Sequence, residues 1–359
     1  MNYFVKEINE DEKVKNTAGV KAREDVEDIL NNEEFQCINI KSLSDKRVNT
    51  SKIQKLLWHY KLKKIWTDSM LSVKSGDVVL IQIPVIEHTI FLSNALKKTK
   101  KKGVKIIFLV HDLDSLRYAE RSDIGLFAKL RIKFEDKVLF QADDIIAHNN
   151  RMATVLKKKT KDKCNIISLK LFDYLVDNKD EADNVDTRFG LDKPVVIAGT
   201  LRRHKANYVY QLPQDVNFNL YGVGYEEDDD KNIKYYGAFP PEMLPFQIEG
   251  SFGLVWDGDS VETCSGTYGR YLKINNPHKV SLYMASGIPV IIWKEAALAK
   301  FIIDNNCGIA VDSLNEIAEK ISEISVEEYE KMLSNVNRIR KKVNGGYFLK
   351  KAVSKYLKK

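Results

Sequence analysis

His278 and Lys279 stand directly after Asn276 and Pro277 in the segment YGRYLKINNPHKVSLYMASGIPVIIW (268–293). Asn-Pro stops the element before it, and the apolar spacing that follows predicts a helix over HKVSLYMAS (278–286), closed by Gly287. The first turn of a helix offers backbone N–H groups without intrahelical partners and the positive end of the macrodipole. Lys279, read as an exposed charge in that turn, adds a full positive charge. This is chemistry for a diphosphate. A plain surface lysine on a buried helix is the competing reading.

A second anion-binding turn is IAGTLRRHK (197–205), which follows the strand PVVIAG (194–199). Gly199 permits a tight turn, and Arg202 and Arg203 follow at once. A guanidinium can meet phosphate through two hydrogen bonds, and Arg203 is the preferred one of the pair. LYGVG (220–224) sets Tyr221 and two glycines at a strand end, where a base or ribose could pack. Tyr235 and Tyr236 fit either the wall of a base pocket or plain core. Asp257 and Asp259 in FGLVWDGDS (252–260) lie at a strand's carboxyl end, but Asp-Gly is equally a turn signal. They form no clear metal pair, and the acidic run EDDDK (227–231) reads as solvated, so no metal is expected.

In the first half, KNTAGVKARED (15–25) supplies Asn16, Thr17 and Gly19 as a short phosphate- or sugar-facing turn, counted here with the donor side. It lacks the three-glycine dinucleotide fingerprint, which argues against nicotinamide chemistry. LVHDLDSLR (109–117) takes a buried strand into His111, Asp112, Asp114 and Arg117. An imidazole beside a carboxylate is a general-base arrangement, with His111 as base and Asp112 as its orienting partner or itself the base. Asp114 and Arg117 would face the acceptor. A structural turn with a capping aspartate is the alternative.

These residues need elements to position them, and the chain alternates strand-like and helix-like segments as an α/β protein does. NYFVKEI (2–8), CINI (37–40), DVVLIQIP (77–84), VKIIFLVHD (104–112), DIIAHN (144–149) and CNIISLK (164–170) read as strands of a first sheet. Between some of them stand helical stretches such as 19–32, 51–71, 89–103 and 151–160. A polar, acidic stretch (175–193) follows, after which the alternation restarts. With 359 residues, two domains are expected: 1–174 on the acceptor side, with a carboxyl-terminal helix (345–359) returning to it, and 175–344 for the nucleotide. The fold class is then α/β, two doubly wound halves facing a central cleft.

Composition narrows the partners. A net charge of +7 is too small an excess to require nucleic acid, suits an anionic nucleotide, and is compatible with weak association with an anionic membrane surface. No apolar run approaches the roughly 20 residues of a membrane span, and the start of the chain carries no secretory pattern. The four cysteines are widely spaced, as in reduced thiols of a cytoplasmic protein.

FGLVWDGDS, TYGRYLKINNPHKVSLYMASGIPVIIW (267–293) and VHDLDSLR resemble the GT-B glucosyltransferases that extend O-linked N-acetylglucosamine on bacterial serine-rich-repeat adhesins. Relatives of these are described as galactofuranosyltransferases. The resemblance runs along most of the chain and is strongest over 252–293. It implies a Rossmann-like GT-B fold, a UDP-sugar as donor substrate, metal-independent transfer without a cofactor, and a homo-oligomer, in some members a homotetramer. One position departs from the broader GT-B pattern: the glutamate that holds the donor ribose in many such enzymes is here Leu282. The resemblance leaves open glucose against galactofuranose, protein against lipid-linked acceptor, and a non-catalytic partner subunit.

Overall fold

Strands covered on both faces must be apolar along their whole length, and the chain contains several such runs. A computed structural model describes residues 1–8, 18–43, 51–119, 124–176, 187–226 and 231–357. Asn16, Thr17 and most of the acidic loop at 227–231 lie outside the described residues.

The first set of elements is β1 (Asn2–Ile8), α1 (Ala18–Asn32), β2 (Gln36–Lys41), α2 (Lys52–Ser69), β3 (Val78–Ile83), α3 (Leu92–Lys100), β4 (Lys105–Val110), α4 (Asp114–Arg117), α5 (Leu126–Leu139), β5 (Asp144–Ala147), α6 (Asn150–Thr160) and β6 (Asn165–Ser168). The second is β7 (Val195–Thr200), α7 (Arg203–Ala206), β8 (Phe218–Val223), β9 (Ile233–Tyr235), α8 (Leu244–Gln247), β10 (Gly253–Val255), α9 (Gly266–Tyr271), α10 (His278–Ser286), β11 (Val290–Trp293), α11 (Ala299–Asp304), β12 (Gly308–Val311), α12 (Ile317–Ser322), α13 (Val326–Asn344) and α14 (Tyr347–Val353).

The strands form two parallel sheets, ordered β2-β1-β3-β4-β5-β6 and β12-β11-β10-β7-β8-β9. The chain divides into two units, one holding the described residues of 1–15, 26–169 and 349–359, the other those of 16–25 and 170–348. The division therefore falls within α1, near residue 170 and within α14.

In unit 1 the core is the run of β3 and β4, where Val79, Leu80, Ile106, Ile107, Phe108 and Leu109 are fully buried. The carboxyl-terminal segment is tied to this unit at Asp144, which accepts from Tyr356 Oη at 2.5 Å and Lys355 Nζ at 2.9 Å and pairs with Lys105. Burial alone would raise this carboxyl, but the hydrogen bonds from Lys105, Tyr356 and Lys355 prevail and hold it well below the usual carboxylate range. In unit 2, α10 lies in the core: every residue from Val280 to Ser286 is buried. Its Tyr283 hydroxyl accepts from Ala198 N at 2.9 Å and sits 3.2 Å from Leu254 O, so one side chain fixes the helix to both β7 and β10.

Candidate functional site

The strand order of unit 2 reverses direction between β7 and β10, and parallel sheets bind ligands outside the carboxyl ends of their strands at such a point. Three segments meet there. β7 ends in Gly199 and Thr200, β10 runs into Trp256 and Asp257, and α10 begins at His278.

Two glycines make room at the β7 end. Gly199 and Gly222 are paired across β7 and β8, with φ of 124° and 147°. A Cβ on Gly222 would lie 1.7 Å from Gly199 O, and one on Gly199 would lie 3.4 Å from Lys279 Cε. Only glycine fits the first place, and the second brings the lysine stem against the strand end.

Lys279 Nζ donates to Trp256 O and to Asp257 Oδ1, each at 2.9 Å. Their side chains are 11% and 9% exposed, so Lys279 is not the exposed charge expected from the sequence. The difference follows from register: α10 is buried from its third residue, Val280, and Lys279 is drawn in beside it. Burial would lower this lysine, but the neighbouring Asp257 carboxylate outweighs it and raises its pKa, so it stays charged. An ammonium has three donors, and the two bonds to Trp256 and Asp257 leave a third.

His278 stacks on Phe172, ring centroids 4.8 Å apart, and both its ring nitrogens are buried without a hydrogen-bond partner. Burial first, and the charge of Lys21 second, push it down to about 4, so at neutral pH it is an uncharged ring. Asn276 is buried and donates to Lys170 O at 3.0 Å, while Ser281 Oγ donates to Phe172 O at 2.8 Å. Asn276, His278 and Ser281 thus bind α10 to a strap at 170–172. Lys21 of α1, in the same unit, donates to Leu175 O at 2.8 Å further along the chain. Gly19 is exposed in the first turn of α1.

The remaining donor-side expectations lie differently. Arg203 is exposed, pairs with Glu226 at 2.7 Å and covers the ring of Tyr210. Arg202 packs its stem across Gly224, where a Cβ would meet Arg202 Cγ at 2.3 Å. Tyr221, expected to meet the nucleotide, is buried to 1% and stacks on Tyr236 at 4.8 Å. Its hydroxyl accepts from Glu249 N, and burial pushes it up to about 12. The ring therefore belongs to the packing beneath the β8 terminus. Leu282, at the ribose-acid position of the broader pattern, is buried.

In unit 1 the order turns between β1 and β3, and His111 follows β4, the neighbour of β3. His111 N donates to Ile83 O at 2.7 Å, extending the ladder by one residue. Its Nε2 lies 2.6 Å from Gln82 Oε1. An amide oxygen can only accept, so Nε2 carries the proton and Nδ1 is the basic atom, a tautomer assigned from this partner. Gln82 of β3 thus holds one edge of the expected base. Asp112 pairs with Arg117, and Asp114 pairs with Arg131 and lies 3.9 Å from Arg117. Arg117 is thus held by the two carboxylates it was expected to accompany. Gln82 was legible in principle, as the single polar residue in the apolar run VVLIQI. The partnership of Asp257 with Lys279 had no local signal, because 22 residues separate them.

Both halves of the chain match known protein families. Residues 2–171 match the description "Glucosyltransferase 3-like, N-terminal domain" and residues 195–356 its C-terminal counterpart. The chain is 36% identical over 360 residues to the beta-1,6-galactofuranosyltransferase WbbI of Escherichia coli K12, covering 96% of each protein. It is 27% identical over 292 residues to glucosyltransferase 3 of Streptococcus gordonii, covering 79% of this chain and 80% of that one. Among solved structures it is similar to AviGT4, a glycosyltransferase of avilamycin A biosynthesis, with TM-score 0.54 at 11% identity over 99% of this chain and 98% of that one. It is also similar to a DNA-modifying beta-glucosyltransferase, with TM-score 0.51 at 16% identity over 99% and 100%. Those two likenesses show the fold, two Rossmann-like units of the GT-B class. With both halves matched and a relative at 36% identity along almost its whole length, the chain belongs to the glucosyltransferase 3-like family of glycosyltransferases.

Proposed function

We propose that this glycosyltransferase takes a UDP-sugar and transfers its hexose, glucose being favoured, to an N-acetylglucosamine-bearing acceptor such as an O-glycosylated serine-rich-repeat adhesin. The observation that carries the donor half is Lys279, charged at the start of α10 with one ammonium donor to spare, against the glycine-lined end of β7. As the bond from the anomeric carbon to the diphosphate oxygen breaks, UDP gains negative charge. Fixed cations and helix N–H groups stabilise that charge without reorganising. Gly199, Arg203, Asn276, His278 and Lys279 form the proposed donor set, with the Asn16–Gly19 turn. Tyr221 supports them through packing. The Arg203–Glu226 pair is exposed and so costs little to exchange for a diphosphate.

On the acceptor side, the hydroxyl oxygen attacks the anomeric carbon and its proton passes to His111 Nδ1, with Asp112, Asp114 and Arg117 forming the proposed acceptor loop. The 36% identity to a beta-1,6-galactofuranosyltransferase supports a second reading, galactofuranosyl transfer to a surface polysaccharide or lipid-linked glycan. A cytoplasmic homotetramer completes the proposal, to be read by light scattering and fractionation.

Mass spectrometry of products from a panel of UDP-sugars and acceptors separates the readings. Hexosylated glycopeptide from UDP-glucose supports the first. Product only from UDP-galactofuranose replaces it with the second, and transfer only from a donor that does not release UDP removes both.

A further inference from the structure

Helix α2 has two apolar faces, and the fold uses one. Leu62 and Trp66 are buried. In the amino-terminal half, Ile53, Leu56, Leu57 and Tyr60 are 73%, 53%, 56% and 59% exposed. Their spacing of i, i+3, i+4 and i+7 sets them on one stripe. Every residue from Ser51 to Leu57 is exposed, so these first turns project from the unit rather than cover its core. They are nevertheless built as firm helix: Ser51 and Gln54 close a reciprocal capping box. An exposed apolar stripe that packing does not explain marks an interaction surface.

The rim of the stripe says what lies on the other side. Lys52, Lys61, Lys63 and Lys64 flank or join the stripe, and the helix carries a single acid, Asp68; Lys55 stands on the side of Leu62 and Trp66. Helix α3 packs beside α2 and adds the exposed Lys97 and Lys98. Right-handed crossovers set both helices on the same face of the sheet. A second copy docking by two-fold symmetry would bring this face against itself and oppose lysine with lysine. A protein surface of neutral chemistry would leave the lysines idle. An anionic bilayer supplies both needs: phosphates for the ammonium groups and an acyl boundary for the aliphatic stripe. No helix among the described residues is long and apolar enough to cross a membrane, and lying in the interface asks for no such length.

We propose that the amino-terminal half of α2 docks unit 1 on an anionic lipid surface, with Ile53, Leu56, Leu57 and Tyr60 entering the interface and the lysines meeting headgroup phosphates. The surface lies on unit 1 and is independent of the donor site in unit 2, so either reading stands if the other falls.

The test is flotation of the full-length protein with vesicles of phosphatidylcholine alone and of phosphatidylcholine with phosphatidylglycerol. Wild type is expected on the anionic vesicles and not on the neutral ones. Lys52→Glu with Lys61→Glu should lower partitioning at least about fivefold for each lysine reversed. Ile53→Ser with Leu56→Ser and Leu57→Ser should lower it by at least about tenfold. All five positions are exposed, so thermal midpoint and UDP release with a soluble acceptor should match wild type in both variants. Failure of wild type to float with phosphatidylglycerol overturns the proposal. So does anionic binding that the serine variant retains in full, which would be charge alone. A serine variant that sediments as a smaller species than wild type also overturns it, since the stripe would then join copies of the chain.

Discussion

Lys279 Nζ lies 2.9 Å from Asp257 Oδ1, with both side chains almost fully buried at the carboxyl end of the second sheet. The carboxylate keeps the ammonium charged in a place where burial opposes charge. It also holds the ammonium against Trp256 O, so the cation is positioned before any ligand arrives. The pair joins the two strands flanking the switch point to the helix start that follows them.

This pairing alters what a Lys279 substitution should do. Lys279→Ala leaves Asp257 buried and unpaired, and breaking such a pair costs roughly 3–5 kcal/mol of stability. Lys279→Met combined with Asp257→Asn removes both charges and should recover most of that loss. UDP affinity should stay low in the double variant, by about 1.5–3 kcal/mol, because a charged phosphate contact is gone. Titration calorimetry on the folded double variant decides it; unchanged UDP affinity would take Lys279 out of the donor site.

His278 makes stability depend on pH. Its folded value of about 4 lies below the ordinary 6.5. Above pH 6.5 the ring is neutral in folded and unfolded chains alike, and the contribution is fully present. As pH falls from 6.5 toward 4, the unfolded chain takes up a proton that the folded chain refuses, so stability is lost through that window. The full loss is about 3 kcal/mol, and about 2 kcal/mol of it should be gone by roughly pH 5. His278→Gln cannot titrate and should lose correspondingly less between about pH 7.5 and about pH 5 in chemical unfolding. Equal losses in the two proteins would mean that the ring is solvated in the folded state.

Much of the fold was legible because its strands announce burial. Runs such as VVLIQI and KIIFLV leave no polar face, which only a sheet covered on both sides allows. Helix α10 spans the nine residues read from its Asn-Pro start and Gly287 stop. Helix α3 is shorter than the stretch 89–103, as Thr89 spends its hydroxyl on His59 O and its own turn on Leu92 N. Helix α5 escaped notice, because LFAKLRIKFEDKVL mixes charge and apolar residues on every face. In the site, glycine and helix-start signals are local and could be read. Side-chain partnerships are less local: Asp112, read as the partner of its neighbour His111, pairs with Arg117 at the end of α4.

The donor reading also makes a prediction about metal. If Lys279, Arg203 and the first-turn N–H groups of α10 meet the charge on departing UDP, transfer should persist in excess EDTA. Initial rates with and without chelator, and after added manganese, measure this. A rate abolished by EDTA and restored by manganese would redirect attention to Asp257 and Asp259 as ligands.

The acceptor-side base can be separated from its surroundings by three substitutions. His111 Nε2 is held by Gln82 Oε1 at 2.6 Å, and the proposed function takes Nδ1 as the proton acceptor. General-base catalysis is typically worth roughly 10²–10⁴-fold in rate, well above ordinary packing effects. His111→Ala should therefore lower kcat by at least about tenfold while UDP affinity stays near wild type. Gln82→Leu removes the orienting acceptor without touching the imidazole, so it should lower kcat less than His111→Ala and shift the acid limb of the pH–rate profile. Asp112→Asn weakens the pair with Arg117, and its effect should appear mainly in acceptor KM if the loop only shapes the acceptor site. A kcat loss of at least about tenfold in Asp112→Asn with His111→Ala unaffected would transfer the base to the carboxylate. Wild-type turnover in both would make the loop structural and send the search for the base to Asp257, Asp259 and the Asn16–Gly19 turn.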